Sequence, residues 1–182
     1  MKVKLLEQII EIPEGVTIKV DGSTVSASGT NGEVKKELYH PMVTIVVRDN
    51  TVVVSAKNAT RREKMQTLSY VKHINNLIKG AQENFVYELK ICSGHFPMSG
   101  AIKGSDFVLK NFLGEAYPRR LTLKSGAKVT VKDDIITVAC ADKELAGQIS
   151  ADFERLTRIT NRDRRVFQDG IYITKKAGVD LS

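Results

Sequence analysis

The sequence predicts an α+β protein made of two tandem copies of one small domain, each an antiparallel β-sheet packed against one α-helix. The first observation is a repeat, because residues 47–56 match residues 131–140, 84 positions later. Residues 21–25 match 103–107 at an offset of 82, and two helical stretches match at an offset of 85. The offset drifts only in turns, where insertions cost little. Functional residues are therefore expected where the two copies differ.

The length of the chain supports two domains. Half of 182 residues is close to 90, within the roughly 80–100 residues that commonly form an independent domain. The polar residues 82–84 provide a boundary. The predicted domains are therefore 1–81 and 82–182.

The first copy opens with strands in which apolar and polar residues alternate. Val16, Ile18 and Val20 follow the period-two pattern of a half-buried strand, and the turn at 21–23 joins it to the next. A high content of β-branched residues is typical of a sheet with one covered face. The predicted strands are 16–20, 24–28, 33–38, 43–47 and 51–56.

A helix beginning at Thr60 is predicted to cover this sheet. Thr60 and Glu63 fit a capping box, in which each side chain bonds the backbone N–H of the other residue. Gly80 can end the helix in a left-handed conformation. The predicted apolar face, at steps of three and four residues, consists of Met65, Leu68, Val71, Ile74 and Ile78.

The second copy repeats this plan. Asp142 is the predicted N-cap of its helix. The predicted buried stripe of that helix is Leu145, Ile149, Phe153 and Leu156. The predicted strands are Phe85–Cys92, Ser99–Lys103, 107–111, 121–123, 129–132 and Ile135–Cys140. Both halves thus follow an α+β arrangement.

Composition argues against several classes of function. The chain has no run of about 18 apolar residues, the length that a membrane-spanning helix needs. Glu7 and Glu11 interrupt the apolar core that a secretory signal would require. Together these features predict a soluble cytosolic protein. Cys92 and Cys140 lie in apolar runs, as buried cysteines of a reducing compartment do. Neither cysteine has a histidine at metal-ligand spacing, so no metal site is predicted. A phosphate-binding loop and a nucleophile elbow are also lacking, so we expect neither an enzyme nor a cofactor.

Charge points to a polyanionic partner. The formal net charge is +7 with a pI near 9.4, and basic side chains gain affinity for nucleic acid by releasing counterions from phosphates. Residues 155–176 hold seven basic residues against two acidic ones, and the first copy has no such segment. Arginine dominates there, and its planar group can grip phosphate or stack on bases. We interpret this segment as an RNA-contacting surface rather than a solvated basic face.

Two other stretches differ between the copies. Residues 93–100 combine small residues with one histidine, His95, in a loop that could approach a backbone closely, although the pattern taken alone favours a packed connection beneath the sheet. Residues 111–120 form an irregular segment that ends in Arg119 and Arg120. Phe112 and Leu113 within it are predicted to be core residues.

Several motifs together resemble those of a known family. They are His95-Phe96-Pro97-Met98, residues 111–115 with Arg119-Arg120, and the ending at 165–173 with Lys175. Over essentially its whole length the chain resembles the L-six family of large-subunit ribosomal proteins, in its archaeal and eukaryotic form. The bacterial branch carries a Tyr-Lys-Gly-Lys-Gly run near its end, where this chain has residues 164–170. Contacts of individual bacterial residues therefore do not transfer.

The resemblance implies a duplicated two-domain fold and binding to large-subunit rRNA near the sarcin–ricin loop, where translational GTPases dock. It also implies neighbouring ribosomal proteins as partners and a cytoplasmic location in the large subunit. A free RNA chaperone or translation regulator, and a protein–protein adaptor, remain alternatives. The residues predicted to contact RNA are Arg158, Arg162, Arg164, Arg165, Lys175, Lys176, Arg119, Arg120 and His95.

Overall fold

The computed structural model describes residues 3–181, so the terminal residues 1, 2 and 182 of the predicted domains lie outside the description. The chain divides into two compact units, one ending at Asn84 and the other beginning at Phe85. This division falls three residues after the boundary that the sequence suggested. It follows the end of the first helix, which extends further than expected.

In the first unit, two three-stranded antiparallel sheets accompany one helix. The sheet orders are β1-β6-β5 and β2-β3-β4. Within residues 3–84 the elements are β1 (Val3–Glu11), β2 (Thr17–Asp21), β3 (Thr24–Gly29), β4 (Gly32–Glu37), β5 (Val43–Arg48), β6 (Thr51–Ala59) and α1 (Arg61–Gln82).

The second unit repeats this order and adds two strands. Its sheets run β10-β9-β8 and β11-β12-β7-β13-β14. Within residues 85–181 the elements are β7 (Phe85–Cys92), β8 (Ser99–Lys103), β9 (Asp106–Lys110), a 3₁₀ turn (Phe112–Gly114), β10 (Arg119–Thr122), β11 (Lys128–Lys132), β12 (Ile135–Cys140), α2 (Lys143–Leu156), β13 (Gly170–Lys176) and β14 (Val179–Asp180).

Strand pairing confirms the duplication. The antiparallel set β1-β6-β5 corresponds to β7-β12-β11, and β2-β3-β4 corresponds to β8-β9-β10. Gly22 and Gly104 occupy the equivalent two-residue turns with φ of +59° and +63°, a region where a residue with a Cβ is strained. The α+β fold class is therefore confirmed, with two sheets in each unit where the sequence predicted one.

The start of α1 is as predicted, but its buried face is rotated. The capping box of Thr60 and Glu63 is present. Met65 and Leu68, expected in the core, are 69% and 45% exposed. The buried face consists of Thr67, Tyr70, Ile74, Leu77, Ile78, Gly80 and Ala81. The sequence does not reveal this face because Thr67 is a polar residue type. Its hydroxyl donates to the carbonyl of Glu63 at 2.8 Å, so it is hydrogen-bonded within the helix and can be buried.

The expected end of α1 at Gly80 is wrong, because the helix continues to Gln82. Its last carbonyls find partners on the hairpin that joins β3 and β4. The side-chain amide of Asn31 donates to the carbonyl of Gly80 and its backbone N–H donates to that of Ala81, both at 3.0 Å. The hydroxyl of Thr30 donates to the carbonyl of Gln82 at 3.3 Å. The hairpin thus supplies the caps that a terminal glycine would otherwise provide.

Helix α2 agrees with the prediction. Asp142 is its N-cap and accepts a hydrogen bond from the backbone N–H of Glu144 at 2.8 Å. Ile149 and Phe153 are buried in the core of the second unit, and Phe153 meets Phe107 edge to face with ring centroids 4.8 Å apart. Helix α2 thus packs on the five-stranded sheet of the second unit, and the basic segment begins in its last turn.

Strands β1, β13 and β14 were not predicted. In β1, apolar Leu5, Leu6, Ile9 and Ile10 have a spacing closer to that of a helix than to strict alternation. Strand β13 follows the arginine cluster, within the residues 155–176 that the sequence marks only as a basic segment. It pairs with β7 in the middle of a five-stranded sheet, and Ile171 is 1% exposed. Neither helix of residues 3–181 is long and apolar enough to cross a membrane.

Candidate nucleic-acid interface

Three arginines of the basic segment gather around one cleft of the second unit. Arg155 lies in the last turn of α2, whereas Arg158 and Arg164 lie in the irregular chain that follows it. All three line a cleft of about 380 Å³, together with Glu154 and Tyr172. Within the described residues, Arg158 and Arg164 make no ion pair, so their charges are available to an anionic ligand.

The turn at 161–167 holds two further arginines by local contacts. The Cζ of Arg162 lies 4.9 Å from the centroid of the Phe167 ring. Arg165 donates to Asp163, with 2.8 Å between its Nη2 and a carboxylate oxygen, yet its side chain is 90% exposed. The hydrogen bonds from Arg165 lower the pKa of Asp163. A surface pair of this kind contributes little to stability, so Arg165 can exchange its partner for a phosphate.

The two lysines of β13 differ in their surroundings. The Nζ of Lys175 lies 3.1 Å from a carboxylate oxygen of Glu88 and 3.7 Å from one of Asp180. The hydrogen bond to Glu88 raises the pKa of Lys175. Lys176 is exposed and has no ion pair within residues 3–181. Of the two, Lys176 is better placed for an external contact.

Arg119 has a structural environment. Its guanidinium donates to both carboxylate oxygens of Glu115, at 2.8 and 2.6 Å, and to the carbonyl of Leu156 at 2.6 Å. Its Cζ lies 4.1 Å from the centroid of the buried Phe112 ring. The hydrogen bond from Arg119 lowers the pKa of Glu115. Arg119 thus ties residues 111–120 to the end of α2, while its neighbour Arg120 is exposed.

His95 lies beside a buried carboxylate that sequence reasoning did not single out. Asp169 is 1% exposed, and its Oδ2 lies 2.6 Å from Nδ1 of His95. Its Oδ1 accepts the backbone N–H groups of Gly94 and His95 at 2.5 and 2.9 Å. Burial by itself would raise the pKa of Asp169, but the hydrogen bonds from His95 and Gly94 outweigh that effect and lower it.

An aromatic ring completes this arrangement. The rings of His95 and Phe167 are stacked, with centroids 4.7 Å apart and an angle of 27° between their planes. A cleft of about 620 Å³ opens beside them, between the loop after β7 and residues 166–172. The only sequence signal for Asp169 and Phe167 was their place in the family-like ending at 165–173.

Comparison with known proteins identifies the family. The sequence model of the family described as ribosomal protein L6 matches residues 12–84 and again 96–170. This chain belongs to the ribosomal protein L6 family. The large ribosomal subunit protein uL6 of Methanococcus vannielii is 39% identical over 174 residues, 96% of each chain. Its counterpart in Natronomonas pharaonis is 37% identical over 166 residues, covering 91% of this chain and 94% of the relative.

The L6 family match confirms the resemblance and locates the additions to the repeat. Each of the two matched ranges falls within one unit of the structure, in agreement with a duplicated domain. The second range ends at Gly170, so most of β13 and all of β14 follow it. The arginines at 158–165 lie inside the matched range, whereas His95 precedes it by one residue.

Proposed function

We propose that this L6-family chain is a structural constituent of the large ribosomal subunit, acts within cytoplasmic ribosomes and binds rRNA. Its relatives are named as large ribosomal subunit proteins, and the L6 family is structural rather than enzymatic. The observation that carries the proposal is the cleft where Arg155, Arg158 and Arg164 converge. Exposed guanidinium groups beside one another provide a site for the phosphates of folded RNA.

The arginine surface acts as a clamp rather than as a reader of sequence. We define this surface as the exposed basic residues Arg155, Arg158, Arg162, Arg164, Arg165, Lys176 and Arg120. Phosphate contacts fix the position and orientation of a nucleic acid without reading its bases. In double-stranded RNA the deep major groove excludes side chains, so such a surface recognises backbone shape and 2′-hydroxyl groups. Arg119 and Lys175 support the surface from within the protein.

The finer location follows from the family resemblance. We propose that the rRNA target lies near the sarcin–ricin loop and that the protein supports the region where translational GTPases dock. A rigid platform suits this role, because the arginines follow a helix packed on a five-stranded sheet. Neighbouring large-subunit proteins are the expected further partners.

The arginine surface can be tested by the salt dependence of binding. Replacing Arg164→Ala and Arg165→Ala together should weaken binding to a large-subunit rRNA fragment. The slope of log affinity against log salt should fall by about 1.5, because each lost phosphate contact removes about 0.7–0.9. If about six phosphates are neutralised, wild-type affinity should fall roughly three orders of magnitude between about 50 and 200 mM salt.

The matched control removes two positive charges elsewhere on the second unit. Lys103→Ala with Lys128→Ala changes two exposed lysines outside the arginine surface. This control should keep the wild-type slope. An unchanged affinity and slope in the Arg164/Arg165 variant would refute the assigned surface.

A further inference from the structure

We propose that the cleft beside His95 binds one unstacked nucleotide of the RNA, with its base inside the cleft and its phosphate against the neighbouring arginines. The inference rests on the proposed function and adds a recognition site to it. A base bound in this cleft would add recognition of a single nucleobase to the phosphate contacts of the arginine surface.

The dimensions and lining of the cleft suit a nucleobase. Its volume of about 620 Å³ lies within the range of about 300–1,000 Å³ that is usual for small-molecule sites. Tyr172 and His95 supply aromatic surface, Gln168 an amide and Ser93 a hydroxyl group. Proteins that recognise unpaired RNA stack its splayed bases on aromatic rings and form hydrogen bonds with their edges. The cleft offers both kinds of contact.

The orientation of His95 is fixed from behind. An ionised carboxylate can only accept hydrogen bonds, so Nδ1 of His95 carries the proton that is shared with Asp169. The stack on Phe167 holds the plane of the ring. Nε2 is therefore the ring atom left to bond a ligand, and the His95 side chain is 37% exposed. Nε2 of His95 thereby faces the hydrogen-bonding edge of a base in the cleft.

Charge determines how a nucleotide would enter. Asp169 in the cleft wall is ionised, so an anion deep in the cleft would meet a negative charge. Arg162, Arg164 and Arg165 immediately precede the wall residues 166–169 in the chain. A neutral base inside the cleft with its phosphate outside, against these arginines, satisfies both constraints. A free phosphate or a carboxylate does not.

Alkylation of Cys92 can report whether RNA occupies the cleft without any substitution in the site. Cys92 lines the cleft and is half-buried, whereas Cys140 is buried in the core. We expect a saturating rRNA fragment to slow the alkylation of Cys92 by iodoacetamide about ten-fold or more, as read by mass spectrometry of the two cysteine peptides. Cys140 serves as the internal control, and its slow alkylation should not change. Equal alkylation of Cys92 with and without RNA would overturn the proposal.

A second measurement identifies the nucleotide. Dimethyl sulfate footprinting with the wild-type chain should show one unpaired base that is protected and that becomes reactive with His95→Ala. His95→Ala should lower affinity about ten-fold, because it removes the hydrogen bond between Nε2 and the edge of the base, while the salt slope stays the same because no phosphate contact is lost. An abasic site at that nucleotide should cost the wild type at least the same factor, and it should cost His95→Ala less than it costs the wild type. It should also restore the alkylation of Cys92.

These outcomes separate the inference from the proposed function. If His95→Ala binds with full affinity and protects the same bases, while the Arg164/Arg165 variant binds weakly, the nucleotide site is refuted and the clamp stands. If neither variant loses affinity, both proposals fail. Tyr39→Ala is the control, because it removes an exposed aromatic ring from the first unit, outside the cleft, and should leave affinity and base protection unchanged.

Discussion

At the scale of the residue, Asp169 organises the loop that follows β7. Its two oxygens receive two backbone N–H groups and the Nδ1–H of His95, so this buried carboxylate is fully paired. A buried charge is tolerated only with such compensation. The loop at 93–95 and the strand entry at 169–170 are joined through this one side chain.

The pairing predicts a loss of stability when the charge is removed. Asp169→Asn should lower the free energy of unfolding by about 2 kcal/mol at pH 7, because the amide donates where the site needs acceptors. Denaturation in urea, followed by circular dichroism, measures this difference. Asp163→Asn, which changes an exposed carboxylate, is the control and should have little effect.

Acid should reduce this difference between wild type and Asp169→Asn. The folded-state pKa of Asp169 is lowered, so its stabilisation is complete above the unfolded pKa of about 3.9 and disappears as the pH falls through the folded value. The difference in the free energy of unfolding between wild type and Asp169→Asn should therefore become smaller below about pH 4. A difference in the free energy of unfolding that stays constant from pH 7 to the lowest pH measured would show that the charge of Asp169 does not cause it.

At the scale of the element, α1 depends on the hairpin between β3 and β4. Gly29 lies so close to the end of α1 that an added Cβ would stand 2.6 Å from the carbonyl oxygen of Ala81. The same hairpin supplies the hydrogen bonds of Asn31 and Thr30 to the last turn. The close approach of Gly29 and the hydrogen bonds of Asn31 and Thr30 thus arise from one contact between this hairpin and the end of α1.

Gly29→Ala should therefore destabilise the first unit by about 1–3 kcal/mol, the usual cost of overpacking against backbone. Amide exchange in the last turn of α1 should increase first, because the caps there are displaced. Gly94→Ala serves as the comparison, since its added Cβ meets only an ordinary contact. Equal stability of the two variants would argue against a tight helix end.

The elements also show what sequence could and could not predict. The strands of the two repeats other than β1, and both helix starts, are predictable because alternation and N-caps are local signals. The rotated face of α1 was missed because Thr67 and Tyr70 are buried through contacts that their residue types do not reveal. The same holds for β13, whose partner β7 lies about 80 residues earlier in the chain. Asp169 was missed because its role arises only when β13 brings it to Gly94 and His95.

At the scale of the whole molecule, each repeat has its own core. Val52, Val54 and Ile74 are buried in the first unit, while Phe107, Ile149 and Phe153 are buried in the second. Most of the exposed basic residues of the arginine surface follow α2, where the first unit has no corresponding segment. Duplication therefore supplied two stable platforms, and the later segment supplied most of the predicted binding residues.

We propose that the two units unfold as separate cooperative bodies. Phe153→Ala should destabilise the second unit by about 3–5 kcal/mol, and hydrogen exchange should increase in β12 and α2 while protection in β6 and α1 stays the same. Ile74→Ala should give the reciprocal pattern. Equal loss of protection in both units after either change would contradict separate unfolding.

The added strand β13 has a consequence apart from its lysines. In the first unit β1 is an outer strand of its sheet, but β13 covers the equivalent side of β7, and the two-residue β14 forms the new margin. A chain truncated before Gly170 would leave the N–H and C=O groups of β7 without ladder partners along that side. Such a margin is a template for self-association, so truncation would make the protein prone to aggregate.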